Sequence, residues 1–294
     1  MFEFKDIEIL HDIVKAGGFR AAARKYDLSQ SAISSRIAAL EKTLGIVLFD
    51  RSNRQVRLTA AGRRFIEESR RLLDARSRIW QDLTHPNGLS GTVRIGVAET
   101  VVHTLATDLL ETLKTSHRGL RFELLVDVSG ELAGALEGDR IDVGIMLRES
   151  VPQGATATPL KPVRLGWYCA QSAVLPDHPL SPVELAEYEI MTFSRGTAPF
   201  REVESVFSSP DISPPNLHGS ASLLTIKHLV AAGFGIGVLP IPVAESNICD
   251  CHVKAIAVGD EAKVNDLYFA VVYFPERNRE IGETVAKATR LFDR

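Results

Sequence analysis

Cysteine and long apolar runs are scarce in this sequence. Its 294 residues include only three cysteines, Cys169, Cys249 and Cys251, which form neither a disulfide framework nor the paired Cys and His spacing of a zinc site. Apolar runs stay below the roughly 18 residues of a spanning helix. The N-terminal MFEFKDIEIL has acids among its apolar residues, unlike an export signal. We therefore expect a cytoplasmic protein with no metal, no cofactor and no membrane partner.

The motifs of common enzyme classes are also missing. The sequence contains no GxSxG, HExxH, Walker or dinucleotide-binding motif, and the glycine-rich run 233–237 precedes a predicted strand instead of opening a helix. Eight histidines are scattered along the chain. A lone histidine such as His103 or His228 is more often a hydrogen-bonded helix residue than a base. We predict no catalytic residues and no enzymatic activity.

Charge is divided unevenly between the two ends of the chain. Residues 1–90 hold 16 Lys and Arg against 11 Asp and Glu, a net of +5, whereas residues 91–294 hold 18 against 26, a net of −8. A basic segment on an acidic body is typical of a nucleic-acid-binding end. The basic excess is densest at nine arginines: Arg51, Arg54, Arg57, Arg63, Arg64, Arg70, Arg71, Arg76 and Arg78.

The stretch 29–44 predicts an amphipathic helix with an unusual outer face. Ile33, Ile37, Leu40 and Leu44 share one stripe at 100° per residue, and Ser29 is a suitable N-cap. The opposite face has short hydroxylic side chains instead of long charged pairs, so another surface can approach closely. A shorter helix, FRAAARKY, precedes it after Gly17 and Gly18, and a first helix with Phe4, Ile7, Leu10 and Val14 packs on both.

Two helices joined by a tight turn, with a polar face on the second, are typical of a helix-turn-helix that enters the major groove of double-stranded DNA. An ordinary helical hairpin is the alternative for this stretch alone. We expect base edges to be contacted by Gln30, Ser31, Ser34 and Ser35. Phosphates or the minor groove would be contacted by Arg36 and Lys42, and by Arg51, Arg54 and Arg57 of a two-stranded wing, strands 45–49 and 56–58 joined by a polar turn.

A long helix follows the wing, with Thr59 as its N-cap and a break at residues 86–88. Its apolar residues repeat every seven positions, which is typical of a helix that packs along a partner helix. A helix of this length has little to bury against in a basic domain of some 90 residues, so a second copy of the chain is the expected partner. The predicted dimer contacts are Phe65, Ile66, Leu72, Leu73, Ile79 and Trp80.

The run GGFRAAARKYDLSQSAISSRIAALEKTLGIVLFDRSNRQVRLTAAGRRF resembles the N-terminal winged helix-turn-helix of LysR-type transcriptional regulators. The matching residues include Phe19, Ser29-Gln30, Ala32-Ile33-Ser34, Leu40-Glu41, Leu44-Gly45, Leu48-Phe49, Arg51 and Leu58-Thr59-Ala60-Ala61-Gly62. The sequence departs from the family at Ser31, where proline is usual, and at Ser35-Arg36, where Arg-Gln is usual. Those departures leave the fold intact and bear on the operator preference.

Strands and helices alternate after residue 88, which predicts an α/β domain with parallel strands and ligand contacts at their carboxyl ends. This part is similar to the two-lobed effector domain of the same family, itself similar to periplasmic solute-binding proteins, through the runs LVAAGFGIGVLP and GDRIDVGIM. We predict a winged helix-turn-helix at 1–58, a linker and dimerisation helix at 59–88, and an effector domain at 89–294. Its lobes would be 89–161 with 265–294, and 162–264. The resemblance implies tetramers built from dimers, and leaves RNA polymerase open as a partner.

Predicted strand ends that lead directly into helices suggest where an effector binds. Helix N-termini carry unpaired N–H groups and partial positive charge, which favours a small anionic or zwitterionic metabolite between the lobes. Family resemblance gives Thr100 particular weight. Glu99 either faces the cleft, where it suits a ligand carrying an amine or hydroxyl, or faces solvent. The candidates are Glu99, Thr100, Ser129, Ser194 and Thr197, with Arg148 and Arg195 as a two-armed grip on the anion.

Two alternative functions stay open from the sequence alone. One is a small-molecule-binding or transport component without operator function, against which the basic first 90 residues argue. The other is a regulator that senses oxidants through cysteines. Cys249 and Cys251 would point to opposite faces of a strand, and Cys169 lies in an apolar strand with no adjacent cation in the sequence.

Overall fold

The computed structural model describes residues 2–50, 57–84, 89–247 and 251–290. The chain divides into two compact units, Met1–Asn87 and Gly88–Arg294. Within the described ranges, no helix combines the length and apolarity that crossing a membrane requires.

The first unit is a winged helix-turn-helix followed by one long helix. Its elements are α1 (Phe4–Lys15), α2 (Phe19–Lys25), α3 (Gln30–Leu44), β1 (Phe49–Asp50), β2 (Arg57–Leu58) and α4 (Ala60–Thr84). The predicted cap of α3 is confirmed, since the Ser29 hydroxyl accepts the Ala32 amide at 3.1 Å. α3 ends at Gly45, whose φ of 69° is left-handed, a conformation that glycine adopts without steric cost.

The core of this unit is built from α1, α2 and α3. Ile33, Ile37 and Leu40 are buried, as the stripe on α3 predicts. The stripe predicted on α1 is partly wrong: Ile7 and Leu10 are buried, but Phe4 is 44% and Val14 40% exposed. The buried face of α1 is completed instead by Ile9 and Ile13. Phe4 is exposed because, at 100° per residue, it lies about 120° around the helix from the buried Leu10. Val14 lies in the last turn of α1.

The first wing strand is shorter than the sequence predicts. The predicted strand 45–49 is reduced to Phe49–Asp50, which pairs with Arg57–Leu58 in an antiparallel hairpin. The Glu41 carboxylate accepts the amides of Leu48 and Phe49 at 2.7 and 3.2 Å, so these amides have a side-chain partner instead of a strand partner. The Leu48 carbonyl in turn accepts the Thr59 amide at 3.0 Å.

α4 begins at the predicted cap, because the Thr59 hydroxyl accepts the Gly62 amide at 2.9 Å. A Cβ at Gly62 would lie 2.1 Å from the Leu48 carbonyl oxygen, so only glycine permits this close approach. Of the predicted dimer residues, Phe65 and Ile66 pack partly against the core of their own unit. Leu72 and Ile79 are 45% and 62% exposed, Leu73 is half-buried, and the Trp80 side chain lies outside the described part.

The second unit contains two five-stranded sheets. The first has the order β4-β3-β5-β12-β6, in which β3, β4 and β5 are parallel and β12 is antiparallel. The return of the C-terminal strand to the first lobe is confirmed. The first-lobe elements are β3 (Ser90–Val97), α5 (Glu99–Val101), a π-helical turn (Val102–Ala106), α6 (Thr107–Ser116), β4 (Gly119–Val126), α7 (Ser129–Glu137), β5 (Val143–Leu147), β6 (Thr156–Pro159), β12 (Phe269–Tyr273) and α12 (Pro275–Thr289).

The second sheet has the order β11-β7-β10-β8-β9. Its lobe comprises β7 (Leu165–Ala170), α8 (Pro182–Leu185), β8 (Glu189–Phe193), α9 (Ala198–Ser205), β9 (Asn216–Ser220), α10 (Leu223–Ala231), β10 (Ile236–Pro240), α11 (Ile241–Glu245) and β11 (Val253–Ala255), with a 3₁₀ turn at Asp260–Ala262. Another 3₁₀ turn, Arg148–Ser150, follows β5 in the first lobe. The sequence did not predict β6, α8, α11 and β11. Each has five residues or fewer, which is too short for a clear hydrophobic period. Gly233 follows α10 with a φ of 82°, a left-handed conformation that glycine commonly adopts after the end of a helix.

A buried ion pair holds the start of β5 against β3. The Arg94 guanidinium donates to both carboxylate oxygens of Asp142, at 2.5 and 3.2 Å, and the two side chains are 8% and 10% exposed. A third bond runs from the guanidinium to the Asp139 carbonyl at 2.6 Å. Removing one partner of such a pair leaves an uncompensated buried charge.

Replacing Asp142 by alanine should therefore destabilise the second unit by about 3 to 5 kcal/mol. The measurement is a urea titration followed by circular dichroism. Asp260→Ala, which removes an exposed carboxylate paired with Lys263, is the matched control and should leave the midpoint unchanged. Equal midpoints for the two variants would show that the buried pair does not stabilise the fold.

Candidate functional site

The outer face of α3 is the first candidate surface. Gln30, Ser31, Ser35 and Lys42 are exposed on it, and Ser34 is half-buried. The Ser31 hydroxyl lies 2.9 Å from that of Ser29, next to the first turn of the helix. Small hydroxyl groups and one amide in this first turn allow a backbone to approach closely and can donate to or accept from base edges.

Arg36, predicted as a phosphate contact, has other partners in the structure. Its Nε donates to Asp6 Oδ1 at 2.5 Å and its Nη2 to Glu3 Oε2 at 2.8 Å. The hydrogen bond to Asp6 raises the pKa of Arg36 above its usual value. Two acids at the start of α1 therefore occupy this guanidinium, and Arg36 joins α3 to α1 instead of standing free at the surface.

The structure describes one of the three predicted wing arginines. Arg57 is exposed on β2 opposite Asp50. Arg51 and Arg54 lie outside the described residues. Lys42 on α3 and Arg57 on the wing are thus the exposed cations of the predicted set that the structure describes.

The second candidate site is a cavity of about 320 Å³ between the two lobes of the second unit. First-lobe residues meet it at the carboxyl ends of β3, β4 and β5, and second-lobe residues meet it at the starts of α9 and α10. Its wall is mainly apolar. Of the predicted effector residues, the structure brings together Glu99, Thr100, Ser129, Ser194 and Thr197.

Thr100 and Ser194 are the residues on this wall whose hydroxyls have no hydrogen-bond partner in the part of the chain that the structure describes. Thr100 is 5% exposed and lines the cavity. Ser129, 8% exposed, already accepts the Leu147 amide at 3.0 Å. Thr197 caps α9 by accepting the Phe200 amide at 3.4 Å. The hydroxyl of a buried residue on a cavity wall offers a hydrogen-bonding group to a ligand in that cavity.

The two arginines predicted to grip an anion do not line this cavity. The Arg195 guanidinium donates to the Leu217 carbonyl at 3.0 Å and stacks 5.1 Å from the centre of the Phe200 ring. Arg148 lines a neighbouring cavity of about 550 Å³ together with Glu149 and Glu202. The predicted two-armed grip is therefore not formed, because Arg195 is held by Leu217 and Phe200 and Arg148 lines the neighbouring cavity.

Glu99 faces the cleft, which decides between the two sequence alternatives for it. Its carboxylate accepts the Leu223 amide at 2.7 Å and the Ser222 hydroxyl at 3.2 Å, so it crosses from the first lobe to the N-terminus of α10. His103 Nε2 lies 3.7 Å from the same carboxylate. Sequence reasoning missed the partner residue Ser222. A signal was available, since serine is a favoured N-cap and Ser222 directly precedes α10.

The cysteines have surroundings that the sequence did not indicate. Cys169 is buried, and burial raises the pKa of its thiol. Lys254 lies opposite it on β11, so a cation is adjacent in space although none is adjacent in sequence. Cys251 Sγ lies 3.5 Å from His228 Nδ1, and Cys249 is outside the described residues. In the described ranges, no group of three or more His, Cys, Asp and Glu side chains could hold a metal ion.

Two protein-family models match this chain. The model described as a bacterial regulatory helix-turn-helix protein of the lysR family matches residues 4–63. The LysR substrate binding domain model matches residues 86–279.

Relatives and solved structures agree with these models. The chain is 26% identical over 288 residues to a hydrogen peroxide-inducible genes activator of Pectobacterium carotovorum subsp. carotovorum, covering 94% of this chain and 88% of the relative. It is 28% identical over 249 residues to the HTH-type transcriptional activator AaeR of Escherichia coli K12, covering 82% and 78%.

Full-length CbnR complexed with its target DNA has the same fold, with a TM-score of 0.74, 23% identity and coverage of 98% and 99%. A full-length OxyR variant from Pseudomonas aeruginosa has a TM-score of 0.69, 20% identity and coverage of 99% and 95%. With a helix-turn-helix model at its N-terminus and a substrate-binding model over most of the remainder, the chain belongs to the LysR family of bacterial transcriptional regulators.

Proposed function

We propose that this LysR-family regulator binds operator DNA through the outer face of α3 and the wing, and that a small organic effector in the cleft between the lobes controls it. It would act in the cytoplasm without catalysing a reaction. RNA polymerase, left open by the family resemblance, stays a predicted partner.

The DNA contact rests on exposure and chemistry. Gln30, Ser31 and Ser35 offer hydrogen-bonding groups to base edges from the first turns of α3, while Lys42 and Arg57 supply exposed positive charge. Arg36 drops out of the proposed contacts because its guanidinium is paired with Asp6 and Glu3. The protein relatives of known description are transcriptional regulators, and CbnR, a fold neighbour, is described in complex with its target DNA.

Assembly into dimers is proposed through α4. Leu72 and Ile79 are seven residues apart on one face and expose 45% and 62% of their surface, which is costly for large apolar side chains in a repeated row. Phe65 and Ile66 contribute less, since they pack partly on their own core. Two α4 helices side by side would bury this row and present two copies of α3 to two half-sites.

The effector site is proposed from one observation above the others: Thr100, a residue that is 5% exposed, lines the cavity between the lobes, and its hydroxyl has no hydrogen bond among the described residues. A ligand hydrogen-bonding group there would satisfy it. Both lobes supply wall residues, so an occupied cavity changes the contact between them.

Arg57→Ala should weaken binding to all DNA sequences and reduce the salt dependence of binding by about one counterion, because it removes one phosphate contact. Fluorescence anisotropy with an operator selected from random DNA, at several salt concentrations, measures both quantities. Arg279→Ala removes the same charge at an exposed pair with Glu283 in the second unit and should change neither. An unaltered salt slope in Arg57→Ala would remove the wing from the DNA contact.

Leu72→Asp should yield monomers, since a charge in an apolar seam lacks compensation. Analytical ultracentrifugation at micromolar concentration measures the oligomeric state. Arg64→Asp introduces the same side chain at an exposed position of α4 and should leave the oligomer intact. A monomeric unmodified protein under these conditions would contradict the proposed seam.

Thr100→Val keeps the side-chain volume and deletes the hydroxyl, so it should lower effector affinity by about tenfold. Calorimetry on the full-length protein, with a ligand first identified by thermal-shift screening, measures the loss. Thr115→Val, at an exposed position of α6, is the control. Equal affinities for the Thr100 and Thr115 variants would mean that the effector binds elsewhere.

A further inference from the structure

The charges on the wall of the cleft cavity have one sign. Across the described residues, the wall carries two charged side chains, those of Glu99 and Asp127, and no lysine or arginine. Asp127 is exposed and accepts the Val128 amide through one carboxylate oxygen at 2.8 Å. The remaining polar groups are uncharged hydroxyls, Thr100 among them. An anionic ligand would therefore meet two like charges in this cavity.

One attraction for an anion at this wall, the N-terminus of α10, is already occupied. α10 has nine residues, and the free N–H groups at its N-terminus favour a negative charge. Glu99 provides that charge, because its carboxylate accepts the first helical amide, Leu223, at 2.7 Å. A ligand carboxylate could reach this amide only by displacing Glu99, which would then stay nearby as an unpaired carboxylate. Such an exchange adds a charge to the cleft without adding a partner for it.

Cations elsewhere in the domain do not compensate this charge from the wall. The Arg195 guanidinium is bonded to the Leu217 carbonyl, and Arg148 lines the neighbouring cavity. His103 approaches Glu99 at 3.7 Å from the adjacent helical turn but does not line the cavity. The wall thus combines two acidic side chains, an apolar surface and a hydroxyl that can still form hydrogen bonds.

We propose that the effector carries a protonated amine that pairs with Glu99, joined to a small apolar body. This proposal rests on the proposed function of the cleft and narrows it, since it excludes simple carboxylates from the anionic or zwitterionic class expected from the sequence. Each carboxylate oxygen of Glu99 uses one of its lone pairs on Ser222 or Leu223 and has a second one to accept an N–H. The Thr100 hydroxyl beside it can accept another.

Size and wall chemistry define the rest of the ligand. The cavity volume of about 320 Å³ corresponds to about ten non-hydrogen atoms when each takes the volume share of one water molecule. Phe193, Leu267 and Phe269 on the wall suit an aliphatic or aromatic body. An amine on Glu99 would also compete with the second lobe for its carboxylate, so binding would alter the bridge between the lobes.

Two matched sets of probes separate the charge classes. Phenylalanine, phenethylamine and hydrocinnamate share one aromatic body and carry a zwitterionic, cationic and anionic head group. Leucine, isopentylamine and isocaproate do the same with an aliphatic body. In thermal-shift measurements on the full-length protein at millimolar probe concentration, amine-bearing members of at least one set should raise Tm, and both carboxylate-only members should not.

Glu99→Gln keeps an oxygen to accept the Leu223 amide and removes the charge, so the variant should fold. It should lower the affinity for the amine probes by about tenfold or more, because a charge-assisted hydrogen bond becomes a neutral one. Glu111→Gln, at an exposed position of α6, should bind as the unmodified protein does. A larger loss in Glu99→Gln than in Thr100→Val is expected for the amines that have no carboxylate.

Stabilisation by the carboxylate-only probes, an unchanged affinity of the amines in Glu99→Gln, or no stabilisation by any amine would each overturn the proposal. The Thr100→Val variant separates these failures from a misplaced site. Carboxylate binding that Thr100→Val weakens would keep the cleft as the effector site and contradict only the charge assignment. Amine binding that neither Thr100→Val nor Glu99→Gln weakens would contradict the cleft itself.

Discussion

Every helix begins with backbone N–H groups that have no partner inside the helix, and the need to satisfy them organises both candidate sites of this protein. Ser29 caps α3 and Thr59 caps α4 with their own hydroxyls, which fixes where the DNA-facing helix and the long helix start. In the second unit, the N-terminus of α10 has a hydrogen-bond partner in the other lobe. Ser222 caps it locally, and Glu99 of the first lobe adds a carboxylate. A local requirement of one helix thereby becomes a bond between two lobes.

Pairing of charges has an equally direct effect on the DNA-facing surface. α3 carries few long side chains, and its arginine is bound to two acids of α1, so the outer face is left with small hydroxylic groups and Lys42. In the proposed DNA contact, positive charge for phosphates comes from Lys42 near the end of α3 and from the wing, where Arg57 is exposed. The proposal therefore gives base recognition and phosphate attraction to different elements, since base edges require close approach and phosphates require positive charge.

The cleft shows why a ligand class cannot be inferred from helix N-termini alone. Counted by themselves, the helix starts around the cavity favour an anion. One of them is neutralised by Glu99, and Asp127 adds a second negative charge on the wall. These two acids on the wall are the reason that we propose an effector carrying an amine.

The sequence by itself determined the helices of the first unit, the caps at Ser29 and Thr59 and the buried stripe of α3, because each depends on residues within about one helix length of each other. It also identified Thr100 and Ser129 as cleft residues, since the carboxyl ends of parallel strands in one sheet meet at a common edge, and Thr197 as the start of a helix in the second lobe. Tertiary structure alone decided where the long charged side chains go. Arg36 bonds to Asp6, 30 residues away, and Glu99 bonds to Leu223, 124 residues away. Arg148 and Arg195 do not line the cleft cavity. A flexible charged side chain takes the partner that folding brings within reach, and the local sequence holds no information about that partner.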